Sequence, residues 1–218
     1  MLILQVMKSE CKKRIIPRVR TLVADEFQAA CTRLSQLVCA DLPTGGYDVI
    51  VGVRRGGSIV CDAMLSDMPP TAYSLRADVK LQRPSTRRKG ERLSKILLRL
   101  PMPVLDWLRI VESLTLDAKR RLRDMRGRKP ATPVDIPDEL SAAITGEAAP
   151  CVLIIDDAID SGETLFSIIT ALKQLNAHAQ IRVAALTVTT TDPRVDADYA
   201  LHRDRTLLRL PWAADARN

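Results

Sequence analysis

The sequence predicts an α/β domain built on a central, mostly parallel sheet flanked by helices, and three observations support this prediction. Short apolar runs of strand length alternate along the chain with longer segments of helical period. Two of these runs pass directly into glycine-containing turns, as buried parallel strands often do at their carboxyl ends. The 218 residues, 46% of them hydrophobic, are enough for one core, so we expect a single domain over residues 1–218.

The first half of the chain predicts a helix followed by a strand–helix–strand unit. Apolar residues at helical spacing predict a helix at 26–38, and the apolar run Tyr47–Val53 predicts a buried strand. A turn at 54–57 then leads into a predicted helix at 58–65, and a second strand is predicted at 71–76. This order of elements is typical of a parallel crossover unit.

The second half predicts a basic, helical insertion followed by the rest of the sheet. We expect residues 78–145 to form this insertion within the domain. Within the insertion, the predicted elements are a polar basic loop at 80–91, an amphipathic helix at 103–125, a linker at 129–133 and a short helix at 137–144. The rest of the sheet follows. It begins with a buried strand that ends at the acidic pair Asp156 and Asp157, and continues with a helix at 164–175, a strand at 181–188, and short strands at 199–201 and 206–210.

Two adjacent carboxylates at the end of a buried strand are the most informative feature. Asp156 and Asp157 directly follow the apolar residues 152–155. Neighbouring carboxylates repel each other, and a fold tolerates them most readily where a cation or a diol binds both. We therefore expect the pair to bind a ligand; the alternative is that the two residues only end a strand.

A short polar turn follows the acidic pair and precedes a helix. The backbone N–H groups of residues 160–164, together with the positive end of the helix dipole, predict a phosphate-binding loop. Ser161 and Thr164 add hydroxyl donors, and Gly162 permits a tight turn, although an ordinary turn would also explain this glycine. A diol-binding pair beside a phosphate-binding loop is what a ribose 5-phosphate requires.

A second turn has the composition of an anion-binding loop. The strand at Tyr47–Val53 ends in Arg54-Arg55-Gly56-Gly57. Glycine lets the backbone approach an anion closely, and arginine offers forked donors to phosphate oxygens. We expect this turn to bind phosphate; the alternative is a glycine turn with solvated arginines.

Residues 154–164 resemble the phosphoribosyl-pyrophosphate (PRPP) motif of type I phosphoribosyltransferases, and the Arg-Gly-Gly turn is similar to the pyrophosphate loop of that family. The resemblance implies that family's fold with a small hood, and transfer of the 5-phosphoribosyl group from PRPP to a nucleobase nitrogen with release of pyrophosphate. It implies that Asp156 and Asp157 bind the ribose hydroxyls and Mg²⁺. It further assigns the 5-phosphate to Asp160, Ser161, Gly162, Glu163 and Thr164, and the pyrophosphate to Arg54, Arg55, Gly56 and Gly57.

The end of the chain resembles that of bacterial 6-oxopurine phosphoribosyltransferases, through residues 198–201 and the run 208–212 that ends in Pro-Trp. This implies a purine-salvage enzyme in which Asp160 takes the N7 proton and Arg55 stabilises the departing pyrophosphate. Helix capping by Asp160 is the alternative interpretation.

The implied base pocket contains Thr189, Tyr199 and Leu207. Thr189 stands where those enzymes carry a lysine for the 6-oxo group, and Leu207 stands near the position of their stacking aromatic residue. Tyr199 could equally pack in the core. The identity of the acceptor base is therefore open.

The formal net charge of +7 indicates a polyanionic partner, either a phosphorylated small molecule or nucleic acid. Basic residues cluster at 83–95 and at 119–129 without interleaved aromatic residues, which disfavours stacking on single-stranded nucleic acid. The loop at 80–92 suggests a lid over the pyrophosphate, and a solvated basic loop with no part in catalysis is the alternative. The lid candidates are Arg83, Ser85, Thr86, Arg87 and Arg88.

Three hypotheses for function follow. The first is an active phosphoribosyltransferase, a glycosyltransferase that the family resemblance implies is dimeric. The second is a PRPP-sensing regulatory protein of the same fold that binds RNA through its basic insertion. The third is an interaction module assembled through the helix at 103–125. No apolar run reaches the roughly 18 to 20 residues of a membrane span, and no secretory signal pattern opens the chain, so we expect a cytoplasmic protein.

Overall fold

The computed structural model describes residues 16–82, 100–124, 130–213 and 215. Its main feature is a six-stranded sheet. In chain order, the elements are β1 (Arg18–Thr21), α1 (Ala24–Cys39), β2 (Tyr47–Val53), α2 (Gly56–Leu65), β3 (Tyr73–Leu81), α3 (Met102–Asp124), β4 (Val134–Asp135), α4 (Asp138–Gly146), β5 (Cys151–Ile159), α5 (Glu163–Leu175), β6 (Gln180–Val188), β7 (Tyr199–His202) and β8 (Thr206–Arg209).

The strands of the main sheet lie in the order β4-β3-β2-β5-β6-β7, and every neighbouring pair is parallel except β3 with β4. The central strand β5 is covered on both faces. Leu153 and Ile155 pack into the core beneath α1 and α2, whereas Val152 and Ile154 pack into the core beneath α4 and α5. Burial on both faces explains the continuous apolar run and confirms the predicted α/β architecture with a mostly parallel sheet.

Strand β3 is longer than the sequence analysis predicted. It begins at Tyr73 and continues to Leu81, where the prediction was a strand at 71–76. Ala77 and Val79 are buried while the polar residues between them face outward, so the missed signal is a simple alternation. Lys80 therefore lies in a strand, and its assignment to the loop predicted at 80–91 was wrong.

Strand β5 also extends beyond its predicted end. It continues through the acidic pair to Ile159, because Ala158 and Ile159 pair with Thr187 and Val188 of β6. Helix α2 begins at Gly56, two residues before the predicted start, so both glycines of the Arg-Gly-Gly turn belong to its first turn. The short strands β1 and β4 were not predicted.

Strands β1 and β8 form a separate two-stranded parallel sheet, the hood, and α3 is fixed to it by buried ion pairs. Arg209 is 1% exposed and donates hydrogen bonds to Asp106 of α3, to Asp215 and to Thr21 at 2.7, 3.0 and 2.9 Å. Arg109 of α3 donates to both oxygens of Asp215. Burial alone would raise the pKa of Asp215, but these two arginines outweigh it and lower that pKa to about 2.

None of the helices in the described ranges combines the length and the apolar composition that crossing a membrane requires. Helix α3 is long, but its charged residues bind the hood and the loops at the end of the sheet.

Replacing Arg209 with Leu should destabilise the protein strongly. The change removes one of the two arginines that bind Asp215, leaving only Arg109, and it removes the partner of Asp106. Breaking a buried pair costs about 3 kcal/mol or more. The matched control is Arg20→Leu on β1, whose ion pair with Glu26 is 4.0 Å long and half exposed and should contribute less than about 1 kcal/mol. Urea denaturation measures both free energies of unfolding. Equal effects of the two substitutions would contradict the role given to Arg209.

Candidate active site

The Arg-Gly-Gly turn and the acidic pair predicted from the sequence lie in contact at the carboxyl end of the sheet. Strands β2 and β5 are parallel neighbours with Gly52 paired to Ile155, so the turn after β2 lies beside the acidic pair. A Cβ atom at Gly56 would collide with the carboxylate of Asp157, and one at Gly57 would collide with the Ile155 carbonyl oxygen. Glycine is therefore required at both positions for the start of α2 to approach β5.

The acidic pair is buried and has no positively charged partner among the residues that the structure describes. Asp156 is 9% exposed, and its Oδ1 accepts a hydrogen bond from the backbone N–H of Asp157 at 3.0 Å. Burial raises the pKa of Asp156 well above its usual value, and the charge of Asp157 raises it further. Burial also raises the pKa of Asp157. A cation bound here would compensate charge that the described residues leave uncompensated, and a diol would donate hydrogen bonds to the carboxylate oxygens.

The donor chemistry of this pair suits magnesium, because hard carboxylate oxygens are the protein ligands that Mg²⁺ prefers. Across the described ranges, no group of three or more His, Cys, Asp or Glu side chains could hold a metal ion. Asp156 and Asp157 could therefore hold Mg²⁺ only together with water or ligand oxygens, which is how Mg²⁺ usually binds at phosphate-containing sites.

The loop between β5 and α5 forms a small cavity of about 150 Å³. Gly162 has a positive φ of 72°, and a Cβ atom there would lie 2.6 Å from the backbone nitrogen of Val195. The Ser161 hydroxyl accepts a 3.4 Å hydrogen bond from the N–H of Glu163, the first residue of α5. The cavity is thus built from a tight turn and a helix N-terminus, as a phosphate site requires. Its lining includes Asp156, Asp160, Ser161, Gly162 and Thr164.

The side chain of Glu163 binds Arg194 at 2.9 Å and does not line this cavity. The guanidinium carbon of Arg194 lies 3.2 Å from the centre of the Phe166 ring, and its backbone N–H donates to the Ser161 carbonyl at 2.9 Å. Arg194 therefore supports the turn from outside. Sequence reasoning missed it because it is about 30 positions away from the motif in the chain, and only the folded structure brings them together.

Asp160 is exposed and lines both this cavity and a larger one. Its Oδ1 accepts a 2.5 Å hydrogen bond from the Thr189 hydroxyl. The N-cap of α5 is Gly162, and no side chain caps that helix. The described contacts therefore place the Asp160 carboxylate beside Thr189, in place of the helix-capping role considered as the alternative.

The larger cavity has a volume of about 450 Å³ and lies between α3, the hood and the end of the sheet. Thr189 and Leu207 line it, as the predicted base pocket requires, but Tyr199 does not. Tyr199 is buried in the core beneath α1, where its hydroxyl donates to Asp41 at 2.9 Å. The sequence analysis did not predict that α3 lines this cavity. The residues of α3 that line it are Leu105, Leu108, Arg109, Glu112, Ser113, Leu116 and Asp117.

Polar contacts from α3 fix it over this cavity. Arg120 donates to the Thr190 hydroxyl at 2.5 Å and to the Asp160 carbonyl at 3.4 Å. Asp117 forms an ion pair with Arg205, which is buried and also donates to the Thr189 carbonyl at 3.3 Å. One turn of α3 thus contacts both loops that carry predicted site residues.

The arginines of the pyrophosphate turn face different surroundings. Arg54 lies 3.7 Å from Asp78 at the end of β3, and more than half of its side chain is exposed. Arg55 is exposed at the start of α2. The lid candidates Arg83, Ser85, Thr86, Arg87 and Arg88 lie outside the described residues, so the lid remains a prediction.

No protein-family model matches the sequence, and no curated protein matches it either. Solved structures do match over most of the chain. A purine phosphoribosyltransferase from Pyrococcus horikoshii superposes with a TM-score of 0.51 at 20% identity, covering 89% of this chain and 93% of that chain. The chain has the type I phosphoribosyltransferase fold. This confirms the fold that the motif resemblance implied.

Two further solved structures match most of the chain. One is the xanthine-guanine-hypoxanthine phosphoribosyltransferase of Helicobacter pylori, with a TM-score of 0.50, 14% identity, and coverage of 89% of this chain and 92% of that chain. The other is a hypothetical protein from Neisseria gonorrhoeae with bound ppGpp, with a TM-score of 0.50, 12% identity, and coverage of 91% of each chain. Identities this low establish the fold and leave the activity to the site itself.

Replacing Asp156 with Asn tests the cost of burying its charge. Because the folded-state pKa is raised, the folded protein holds this proton more tightly than the unfolded chain does. The free-energy cost of burying the ionised Asp156 carboxylate is therefore absent at pH values below the pKa of Asp156 in the unfolded chain. It grows as the pH rises toward the pKa of Asp156 in the folded protein. We expect Asp156→Asn to stabilise the ligand-free protein at neutral pH, by about 1.4 kcal/mol for each unit of raised pKa. The gain should shrink toward zero near pH ~4.

Urea denaturation between about pH 4 and 8 measures this difference, because the unperturbed Asp pKa is about 3.9. The matched control is Asp135→Asn, an exposed residue on β4 that should change the free energy of unfolding by less than about 0.5 kcal/mol. Loss of stability in Asp156→Asn at neutral pH would show that this carboxylate has a stabilising partner after all.

Proposed function

We propose that this protein is a phosphoribosyltransferase, which moves the 5-phosphoribosyl group of PRPP to a nitrogen of a nucleobase and releases pyrophosphate. One observation carries this proposal. The pair Asp156 and Asp157, which has no cationic partner among the described residues, lies against the Gly56–Gly57 backbone and beside the helix N-terminal loop at 160–164. A diol site, a phosphate site and a second anion-binding turn therefore meet at one edge of the sheet.

The solved neighbours support the same assignment. Two of them are purine phosphoribosyltransferases, and the Neisseria gonorrhoeae protein was solved with bound ppGpp. Ligands of this kind carry phosphate groups and a purine, which suits a chain with a phosphate-binding loop next to a second, larger cavity.

The chemistry follows from the positions of these groups. The bond between C1 of the ribose and a pyrophosphate oxygen breaks while a bond from C1 to the acceptor nitrogen forms, so positive charge develops at C1. Asp156 and Asp157 hold the ribose hydroxyls beside this centre. Arg55 and the Gly56 N–H donate to the departing pyrophosphate, where negative charge accumulates. When Mg²⁺ is bound, it supplies charge neutralisation for the leaving group.

Asp160 is the base for the acceptor in this proposal. It lines both the phosphate cavity and the larger cavity, so it lies where a base attached to the ribose would sit. The hydrogen bond from Thr189 holds one carboxylate oxygen and leaves the other to accept the proton from the acceptor nitrogen. Helix α3 lies beside this position, where Arg120 contacts the Thr190 hydroxyl and the Asp160 carbonyl.

The double substitution Asp156→Asn with Asp157→Asn tests the ribose assignment. We expect PRPP with Mg²⁺ to raise the melting temperature of the wild-type protein and to leave that of the double variant unchanged, because the site loses both of the negative charges that bind the diol and Mg²⁺. Asp135→Asn is again the control and should retain the full shift. Turnover should be measured in parallel as base-dependent release of pyrophosphate from PRPP with a panel of nucleobases.

These measurements also judge the RNA-binding alternative. PRPP binding without turnover of any base, together with RNA binding that weakens steeply with salt, would favour a regulatory protein. PRPP stabilisation that survives in the double variant would refute the ribose assignment itself.

Gly56→Ala tests the close approach of the pyrophosphate turn to the acidic pair. The new methyl group must displace the Asp157 carboxylate, and we expect PRPP affinity to fall about tenfold or more because the site is misplaced. Gly146→Ala at the end of α4 is the matched control, since a Cβ atom there meets nothing within 4 Å. Calorimetric titration of PRPP gives both affinities. Equal affinities in the two variants would count against the contact.

A further inference from the structure

The charged residues that line the larger cavity fall into two groups. Arg109 is fully engaged, because it donates to both oxygens of Asp215 and to the Leu208 carbonyl at 3.2 Å. Asp117 is paired with Arg205. Within each pair the opposite charges neutralise each other, so these residues offer little net charge to a ligand in the cavity.

Two carboxylates in the lining remain uncompensated. The Glu112 side chain has no hydrogen bond or ion pair within the described part of the chain. Asp160 receives the Thr189 hydroxyl on one oxygen, and the other has no partner there. Among the described lining residues, the single cation is Arg109, which is already paired. The cavity therefore presents hydrogen-bond acceptors and negative charge to whatever occupies it.

The rest of the lining is apolar and suits a flat ring. Leu105, Leu108 and Leu116 approach from α3, and Leu207 approaches from the hood. Such a wall covers the faces of a heterocycle and leaves its edge to the polar groups. The edge groups available here are the two carboxylates and the Ser113 hydroxyl.

We propose that the acceptor base is an amino-bearing heterocycle whose exocyclic NH₂ group donates to Glu112 while its ring N–H donates to Asp160. This inference rests on the proposed function and specifies the substrate class of the same site. An oxo group at that edge would place its lone pairs against a carboxylate, and a carboxylate-bearing acceptor would add like charge. In both arrangements acceptor oxygens would face each other with no donor between them, which is unfavourable.

Matched pairs of bases test this proposal on the full chain. Adenine and hypoxanthine differ by amino against oxo at one ring position, and 2,6-diaminopurine and xanthine differ at two. Calorimetry should be run with each base alone and with PRPP and Mg²⁺ present. We expect the amino member of each pair to bind about tenfold tighter or more, as for a hydrogen bond to a charged acceptor. Equal binding, tighter binding of the oxo member, or no binding of any base would overturn the proposal.

Glu112→Gln identifies the residue responsible. The amide keeps the size of the side chain and can donate to an oxo group, so we expect the amino preference to fall about tenfold and oxo bases to gain. Glu112 has no side-chain partner to lose among the described residues. The matched control is Glu139→Gln, exposed in the first turn of α4, which should leave the preference intact. An unchanged preference in Glu112→Gln would overturn the assignment.

The two proposals fail separately in this design. Absence of any PRPP-induced shift in melting temperature, with the amino preference retained for bases alone, would reject only the transferase function. A normal PRPP shift without an amino preference would reject only the choice of acceptor.

Discussion

The close approach of the start of α2 to the end of β5 is the constraint on which the site depends. Gly56 and Gly57 lie against Asp157 and Asp156, and any side chain at either glycine would occupy the space of a carboxylate or a carbonyl. The parallel register of β2 with β5 brings the two turns to the same edge. Without this contact, the acidic pair and the arginine turn would be separate surface features, and no single ligand could reach both.

Carboxylates with low solvent exposure occur in two contrasting environments in this structure. In the hood, Asp215 is surrounded by Arg109 and Arg209, which lowers its pKa and locks α3 in place. At the edge of the sheet, Asp156 and Asp157 have no such partner in the described residues, and burial raises the pKa of both. Since unpaired buried charge is destabilising, the first arrangement is expected of structure and the second of ligand binding.

Local sequence patterns predicted the parts of the site that depend on neighbours in the chain. The acidic pair, the loop at 160–164 and the Arg-Gly-Gly turn are contiguous segments, so residue type and spacing sufficed to find them. The β3 extension was missed although its alternation of Ala77 and Val79 was present in the sequence. Arg194 and the burial of Tyr199 depend on contacts between distant segments, which no local pattern records.

Helix α3 shows why the hydrophobic periodicity of the sequence could not predict which residues line the cavity proposed for the acceptor base. The apolar spacing identified the helix, yet Trp107 and Leu122 on it are 62% and 64% exposed. The face that meets the cavity is a different stripe, which includes Glu112 among leucines at helical spacing. Hydrophobic periodicity finds the face of a helix that packs in a dry core, but a ligand cavity needs polar groups among apolar ones. In the proposed assignment, the ribose and phosphate sites use backbone and carboxylates at the edge of the sheet, and the specificity for the acceptor lies in α3, within the predicted insertion.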